Sequence, residues 1–176
     1  MKKLLLHVCC APCSAYVIEK LRENYNISLF YFNPNIYPET EYETRKNESE
    51  NYAKKLKIEF IEKKLNHSIW LDKIKGFENE PERGKRCFIC YKYRLEETAK
   101  YAKQNNFDIF TTTLSISPHK SAEMINNVGY EISKSLNVEY LEVDWKKDGG
   151  FKKSCEISRD NNFYRQNYCG CEFSIR

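Results

Sequence analysis

Short apolar runs alternate with apolar residues at helical spacing along almost the whole chain, and this alternation narrows the possible folds most. Leu4-Leu5-Leu6-His7-Val8 reads as a buried strand, after which Ala15, Val17, Ile18, Leu21 and Tyr25 recur at helical spacing. The pattern continues with strands at 27–32, 58–61, 107–114 and 138–143. Between and around them lie helices at about 39–56, 69–74, 90–105 and 124–136. Such alternation implies parallel strands joined by right-handed crossovers, with helices covering both faces. The expectation is an α/β protein built on a single open parallel sheet of about five strands. No repeat, low-complexity tract or linker divides the chain, so residues 1–176 are read as a single domain.

In open α/β sheets ligands gather beyond the carboxyl ends of the strands, where strand order reverses. The unusual sequence lies mostly there. Cys9-Cys10-Ala11-Pro12-Cys13 follows the first strand and Asn33-Pro34-Asn35-Ile36-Tyr37-Pro38 the second. Ser115-Ile116-Ser117-Pro118-His119-Lys120 follows the fourth, and the segment 144–153 the fifth. Four polar loops are thereby expected at one rim.

Eight cysteines in 176 residues then need a setting. No apolar run approaches the roughly 18 residues that span a bilayer. The opening Met-Lys-Lys-Leu-Leu-Leu resembles a signal peptide, but its apolar run stops at His7, short of the roughly 7–15 residues of a secretory core. The expectation is a reduced, cytoplasmic protein with no membrane association, in which cysteines serve metal or redox chemistry. They fall into Cys9-Cys10-x-x-Cys13, Cys87-x-x-Cys90, Cys169-Gly170-Cys171 and a separate Cys155. A Cys-x-x-Cys pair brings two thiolates to one metal from a tight turn, and two such pairs complete a four-thiolate site for zinc or an iron–sulfur cluster. Vicinal Cys9 and Cys10 are expected to diverge from an extended backbone, which suits a cluster better than one tetrahedral ion. Lys85 and Arg86 beside Cys87 favour thiolates and an anionic centre. The Cys-Gly-Cys segment is open to two readings, a strained redox disulfide or further metal ligands. Cys155 has no near partner.

The net charge is only +4, but residues 81–103 carry seven basic residues against three acidic ones. A polyanion partner and a solvated helix face both account for that cluster.

Five blocks of this sequence carry a family likeness. They are His7-Val8-Cys9-Cys10-Ala11-Pro12-Cys13; Asn33-Pro34-Asn35-Ile36-Tyr37-Pro38 with Glu41-Tyr42 and Arg45; Arg86-Cys87-Phe88-Ile89-Cys90-Tyr91 with Arg94-Leu95; Thr111-Thr112-Thr113-Leu114 with Ser117-Pro118-His119-Lys120; and Tyr164-Arg165-Gln166-Asn167-Tyr168-Cys169-Gly170-Cys171. Together they resemble the cobalamin-independent epoxyqueuosine reductases, the QueH family. The resemblance implies a single catalytic domain with a fold similar to the adenine-nucleotide α-hydrolase (HUP-like) group. It implies two-electron removal of the epoxide oxygen from epoxyqueuosine at the tRNA wobble position, the last step of queuosine biosynthesis. By position, Cys9, Cys10, Cys87 and Cys90 correspond to ligands of a [4Fe–4S] cluster, with Cys13 as an alternative ligand. Cys169 and Cys171 correspond to a redox-active pair, and one additional iron ion is expected beside the cluster. A second partition places the cluster on Cys10, Cys13, Cys87 and Cys90, and leaves Cys9, Cys169 and Cys171 for that iron.

On the substrate side, Tyr37 and His119 are candidate proton donors to the departing oxygen. Arg83, Lys85, Arg86, Lys92, Lys120, Lys152, Lys153 and Arg165 are candidate phosphate contacts on tRNA, and Tyr37, Tyr91 and Tyr168 candidate stacking platforms. A separate electron donor is required. The loop after the first strand is not a Gly/Ser-rich phosphate cradle, so no ATP is expected, and the family uses no cobalamin. The competing readings are a zinc-stabilised RNA-binding module, an ATP-dependent tRNA thiolase and a general thiol oxidoreductase.

Overall fold

The computed structural model describes residues 1–175. Five parallel strands form one sheet in the order β3-β2-β1-β4-β5. They are β1 (Lys2–His7), β2 (Tyr25–Tyr31), β3 (Glu59–Glu62), β4 (Ile109–Thr112) and β5 (Glu139–Tyr140). Six helices connect and flank them: α1 (Ala11–Leu21), α2 (Glu39–Leu56), α3 (His67–Lys73), α4 (Lys85–Gln104), α5 (Ala122–Leu136) and α6 (Gly150–Asp160).

β1 is central and buried on both faces, which is why its sequence is a continuous apolar run rather than an alternating one. Leu4, Leu6 and Val8 enter one core with Val17, Ile18, Tyr52 and Ala53 of α1 and α2. Leu5 enters the other with Trp70, Leu95, Ala99 and Ile125 of α3, α4 and α5. α6 returns to the first face and fastens to the start of α1, where the Ser154 hydroxyl donates to the Pro12 carbonyl at 2.5 Å. The chain therefore winds outward from β1 to β3, crosses back past β1 to β4, and winds outward again. The reversal opens a crevice between the carboxyl ends of β1 and β4.

Sequence periodicity placed the elements well but misjudged several ends. β5 has two residues rather than six. Leu141 N–H still bonds the Phe110 carbonyl at 3.0 Å, but the Leu141 carbonyl is taken by the Thr111 hydroxyl at 2.8 Å, which ends the ladder. α3 begins at His67 because Asn66 caps it, its side chain accepting from Ser68 N–H at 2.9 Å. α4 begins at Lys85 rather than near Cys90, so Cys87 and Cys90 lie in its opening turns, not in a reversing loop. No helix among the described residues is long and apolar enough to cross a membrane.

Candidate metal centre and active site

The loop after β1 is held before it reaches its cysteines. Val8 N–H bonds the Phe30 carbonyl at 3.0 Å, and the Val8 carbonyl accepts from Asn33 Nδ2 at 3.0 Å. Cys10 then caps α1 with an extended backbone (φ −169°, ψ 157°), and Pro12 starts the helix without a missing hydrogen bond. This turn folds Cys9, Cys10 and Cys13 together: their sulfurs all lie within 4.8 Å of one another. The Cys9 and Cys10 sulfurs are 3.8 Å apart, so the vicinal pair converges instead of diverging, because helix entry at Cys10 bends the chain between them. Gln166 Nε2 donates to Cys10 Sγ at 2.9 Å. Hydrogen bonds from Cys10 and Cys13, with Arg94 and Lys120 nearby, hold the Cys9 thiol well below the usual range. Burial pushes Cys10 up to about 12. The trio thus favours one thiolate, at Cys9.

Cys87 and Cys90 face the crevice from α4, one helical turn apart. Cys87 Sγ accepts from Arg83 N–H at 3.3 Å, and Cys90 Sγ from Arg94 Nη1 at 3.7 Å. Burial raises both thiols. The C-terminal segment closes the site from the opposite side. Arg45, buried in α2 and paired with Glu41 at 2.7 Å, donates to the carbonyls of Cys169 (3.2 Å) and Tyr168 (3.1 Å). Gly170 has φ +107°, and a Cβ there would lie 2.8 Å from Ile36 Cγ1, so both conformation and space demand glycine. Its carbonyl accepts from Tyr37 N–H at 2.9 Å. The Cys169 sulfur lies 2.9 Å from Ser174 Oγ, whose proton is donated to the Cys171 carbonyl at 2.7 Å. All eight cysteines are free thiols.

Two adjoining cavities result. The outer one, about 230 Å³, is lined by Cys9, Cys13, Cys155 and Cys169 with His119, Lys120 and Arg165. The inner one, about 30 Å³, is lined by Cys87, Cys90, Cys169 and Cys171 with Arg94, His119 and Lys120. Cys169, His119 and Lys120 border both. Burial works against the charge on Lys120, but the surrounding sulfurs of Cys169, Cys9 and Cys13 more than offset it and raise its affinity for the proton.

Several candidate residues lie elsewhere than their sequence suggested. Tyr37 stacks on His67 at 5.2 Å in a separate groove, away from both thiol-lined cavities. Arg83 spends its guanidinium on the carbonyls of His119 (3.0 Å) and Pro118 (2.8 Å), bracing the loop after β4. Arg86 is buried and donates to the carbonyls of Glu78 (2.7 Å), Glu80 and Phe173. Arg86 is not a free phosphate contact, because a desolvated guanidinium requires internal acceptors and it has found them, whereas Arg83 stays exposed while it braces the loop. Tyr91 is buried and Tyr168 lies against the Arg45 guanidinium at 5.3 Å, which removes the first as a stacking surface. Lys85, Lys92, Lys152, Lys153 and Arg165 are exposed.

Arg45, Arg94, Gln166 and Ser174 escaped the sequence reading as site residues. For Arg94 a signal was present: Arg86, Cys90, Arg94 and Thr98 recur every four residues on the buried face of α4.

An open parallel α/β sheet with a cysteine-lined crevice at its switch point defines the class, and comparison with known proteins gives the family. The family model described as epoxyqueuosine reductase QueH matches residues 4–176. Epoxyqueuosine reductase QueH of Histophilus somni is 43% identical over 176 residues, covering 99% of this chain and 72% of its own. The protein of that name from Acinetobacter baylyi is also 43% identical, covering 99% and 81%. The chain belongs to the QueH family of epoxyqueuosine reductases, oxidoreductases of queuosine biosynthesis on tRNA. Among solved structures the fold is similar to a predicted subunit of tRNA methyltransferase from Methanocaldococcus jannaschii, with TM-score 0.59, 16% identity and 89% and 74% of the two chains covered. It is also similar to the U34-tRNA thiolase NcsA from Methanococcus maripaludis with its [4Fe-4S] cluster, with TM-score 0.57, 13% identity and 99% and 62% covered.

Proposed function

We propose that the crevice between β1 and β4 holds a [4Fe–4S] cluster on Cys9, Cys10, Cys87 and Cys90, with Cys13 as the alternative ligand, and receives the modified wobble nucleoside of a tRNA in the cytoplasm. The supporting observation is that seven thiols from three distant segments converge on one crevice that also contains buried cations. That donor set fits an anionic thiolate centre: soft sulfur ligands suit iron–sulfur chemistry, and Arg94 and Lys120 supply opposing charge. A thiolase of similar fold is described with such a cluster, and likeness at 13% identity extends to the fold alone. Cys169 and Cys171, which line the inner cavity, would hold one additional iron ion.

Deoxygenation converts an epoxide, two electrons and two protons into an alkene and water. When bound, an iron–sulfur centre would supply electrons singly, so the second electron would come through a second iron held by Cys169 and Cys171; alternatively those two thiols would supply both electrons by closing to a disulfide that the external donor reduces again. His119 and Lys120 border both cavities, and we assign the proton supply for the departing oxygen to that pair. Arg83 orients them by holding the His119 carbonyl. Arg165 at the outer mouth, with Lys152 and Lys153, contacts phosphate. Tyr37, in its separate groove, contacts the flanking anticodon loop rather than the epoxide.

The test is anaerobic turnover of epoxyqueuosine-containing tRNA with a strong reductant, read by nucleoside mass spectrometry. The expected product lacks one oxygen in the modified base. A colourless protein that binds zinc and leaves the base unchanged would sink this reading.

A further inference from the structure

Arg94 is buried to 2% exposure at the centre of α4. A guanidinium removed from water ordinarily pairs with a carboxylate, because an uncompensated buried charge is among the costliest features a fold can carry. Among the described residues its hydrogen-bond partners are all of another kind. Nη2 donates to Asn33 Oδ1 at 2.6 Å, Nε faces His7 Nε2 at 3.4 Å, and Nη1 faces Cys90 Sγ at 3.7 Å. His7 is fully buried, and an imidazole carries no negative charge in either of its protonation states. The amide of Asn33 is neutral by nature. The groups able to balance Arg94 are therefore sulfurs: Cys90 by contact, with Cys9 and Cys169 acting through space from the two sides of the crevice.

We infer that Arg94 is the fixed counter-charge of the thiolate centre, a positioning residue that makes the anionic centre stable in a dry crevice and raises its reduction potential. This rests on the iron–sulfur reading above. A cation held against the sulfurs favours the reduced, more negative form of the centre, so its removal makes reduction harder. Asn33 then has a purpose that an aspartate could not serve. A carboxylate at its position would satisfy Arg94 better as an ion pair, yet would cancel the charge the centre uses.

The test compares anaerobically reconstituted wild type with Arg94→Lys, Arg94→Met and Asn33→Asp. Iron and sulfide content are measured first, then the midpoint potential by spectroscopically monitored redox titration. Arg94→Lys keeps the charge and is expected to keep the potential. Arg94→Met, which removes the charge, and Asn33→Asp, which neutralises it in place, are both expected to lower the reduced-to-oxidised ratio about tenfold at the wild-type midpoint, equivalent to about 59 mV for one electron. Failure of both to assemble a centre while Arg94→Lys assembles one supports the same conclusion, since loading then follows charge. Wild-type potentials in Arg94→Met and Asn33→Asp overturn the inference. So does loss of the centre in Arg94→Lys, which assigns the residue to shape. Absence of iron and sulfide from the wild type fails the iron–sulfur reading instead, and is recognised at the first measurement.

Discussion

The openings of α1 and α4 present the same device in two different settings. Each places two cysteines three residues apart at a helix N-terminus, where unpaired N–H groups and the helix dipole favour negative charge. At α1 the thiols are held by one another and by Gln166, with no charged residue in the first turn. At α4 the thiols stand apart from one another and are held by arginines: Cys87 through the Arg83 backbone, Cys90 through the Arg94 side chain. One end is a nest of sulfur that needs little beyond its own loop. The other is a pair of sulfurs that depends on arginines four residues away along the chain and on the C-terminal segment that closes over it. In the metal-free protein the first already favours an anion at Cys9, whereas burial keeps the second protonated.

The largest test of this contrast is to remove one sulfur from each side. Cys10→Ser and Cys90→Ser are each expected to lose iron and sulfide and to lower turnover by about 100-fold or more. If Cys13→Ser strips the cluster and Cys9→Ser spares it, the ligand set shifts to the second partition; metal analysis of the four variants decides between them.

The dependence of the α4 side on its cover is probed next. Gly170→Ala forces a side chain into a left-handed conformation against Ile36, a strain of about 1–3 kcal/mol. Thermal unfolding should fall accordingly, and alkylation of Cys169 should quicken while the α1 trio keeps its reactivity. Equal protection of Cys169 in the variant would show that Arg45 alone holds the segment.

A smaller effect separates the two settings by acid. His7 has a folded pKa of about 3 against 6.5 unfolded, chiefly because burial disfavours its charged form. The unfolded chain binds the proton first, so stability is complete above pH 6.5 and declines as pH falls towards 3, with about 1.4 kcal/mol lost at pH 5.5. Urea midpoints of metal-free wild type and His7→Asn across this range measure it, and the variant should show the shallower slope. Smallest of all is Cys155→Ser. Its thiol accepts from Arg165 at 3.3 Å and lines the outer cavity without joining the converging trio, and the change should stay within about 0.5 kcal/mol in stability. Turnover should match the wild type.

Much of the fold was legible because its signals are local. A run such as Leu4-Leu5-Leu6 followed by helix-spaced Ala15, Val17 and Ile18 admits few interpretations. The convergence of loops on one rim then follows from parallel topology. What stayed hidden were the buried polar residues. Arg45, Arg86 and Arg94 look like surface charge in a sequence, and only their partners, including carbonyls 124 and 87 residues away, reveal them as internal braces. The convergence of Cys9 and Cys10 was likewise invisible, since it depends on helix entry at a single residue. Tyr37 misled for a related reason: its backbone joins the C-terminal segment while its ring turns towards His67.

The crevice is assembled from both halves of the chain, with Cys9 made about 160 residues before Cys169. At roughly 5–20 residues per second, synthesis separates them by on the order of 10–30 s. During that interval the α1 trio is exposed on an unfinished polypeptide, a ready trap for any thiophilic ion. On the proposed iron–sulfur reading, faithful maturation requires that iron delivery wait for the closing segment, or that an early occupant be exchanged once the segment has docked.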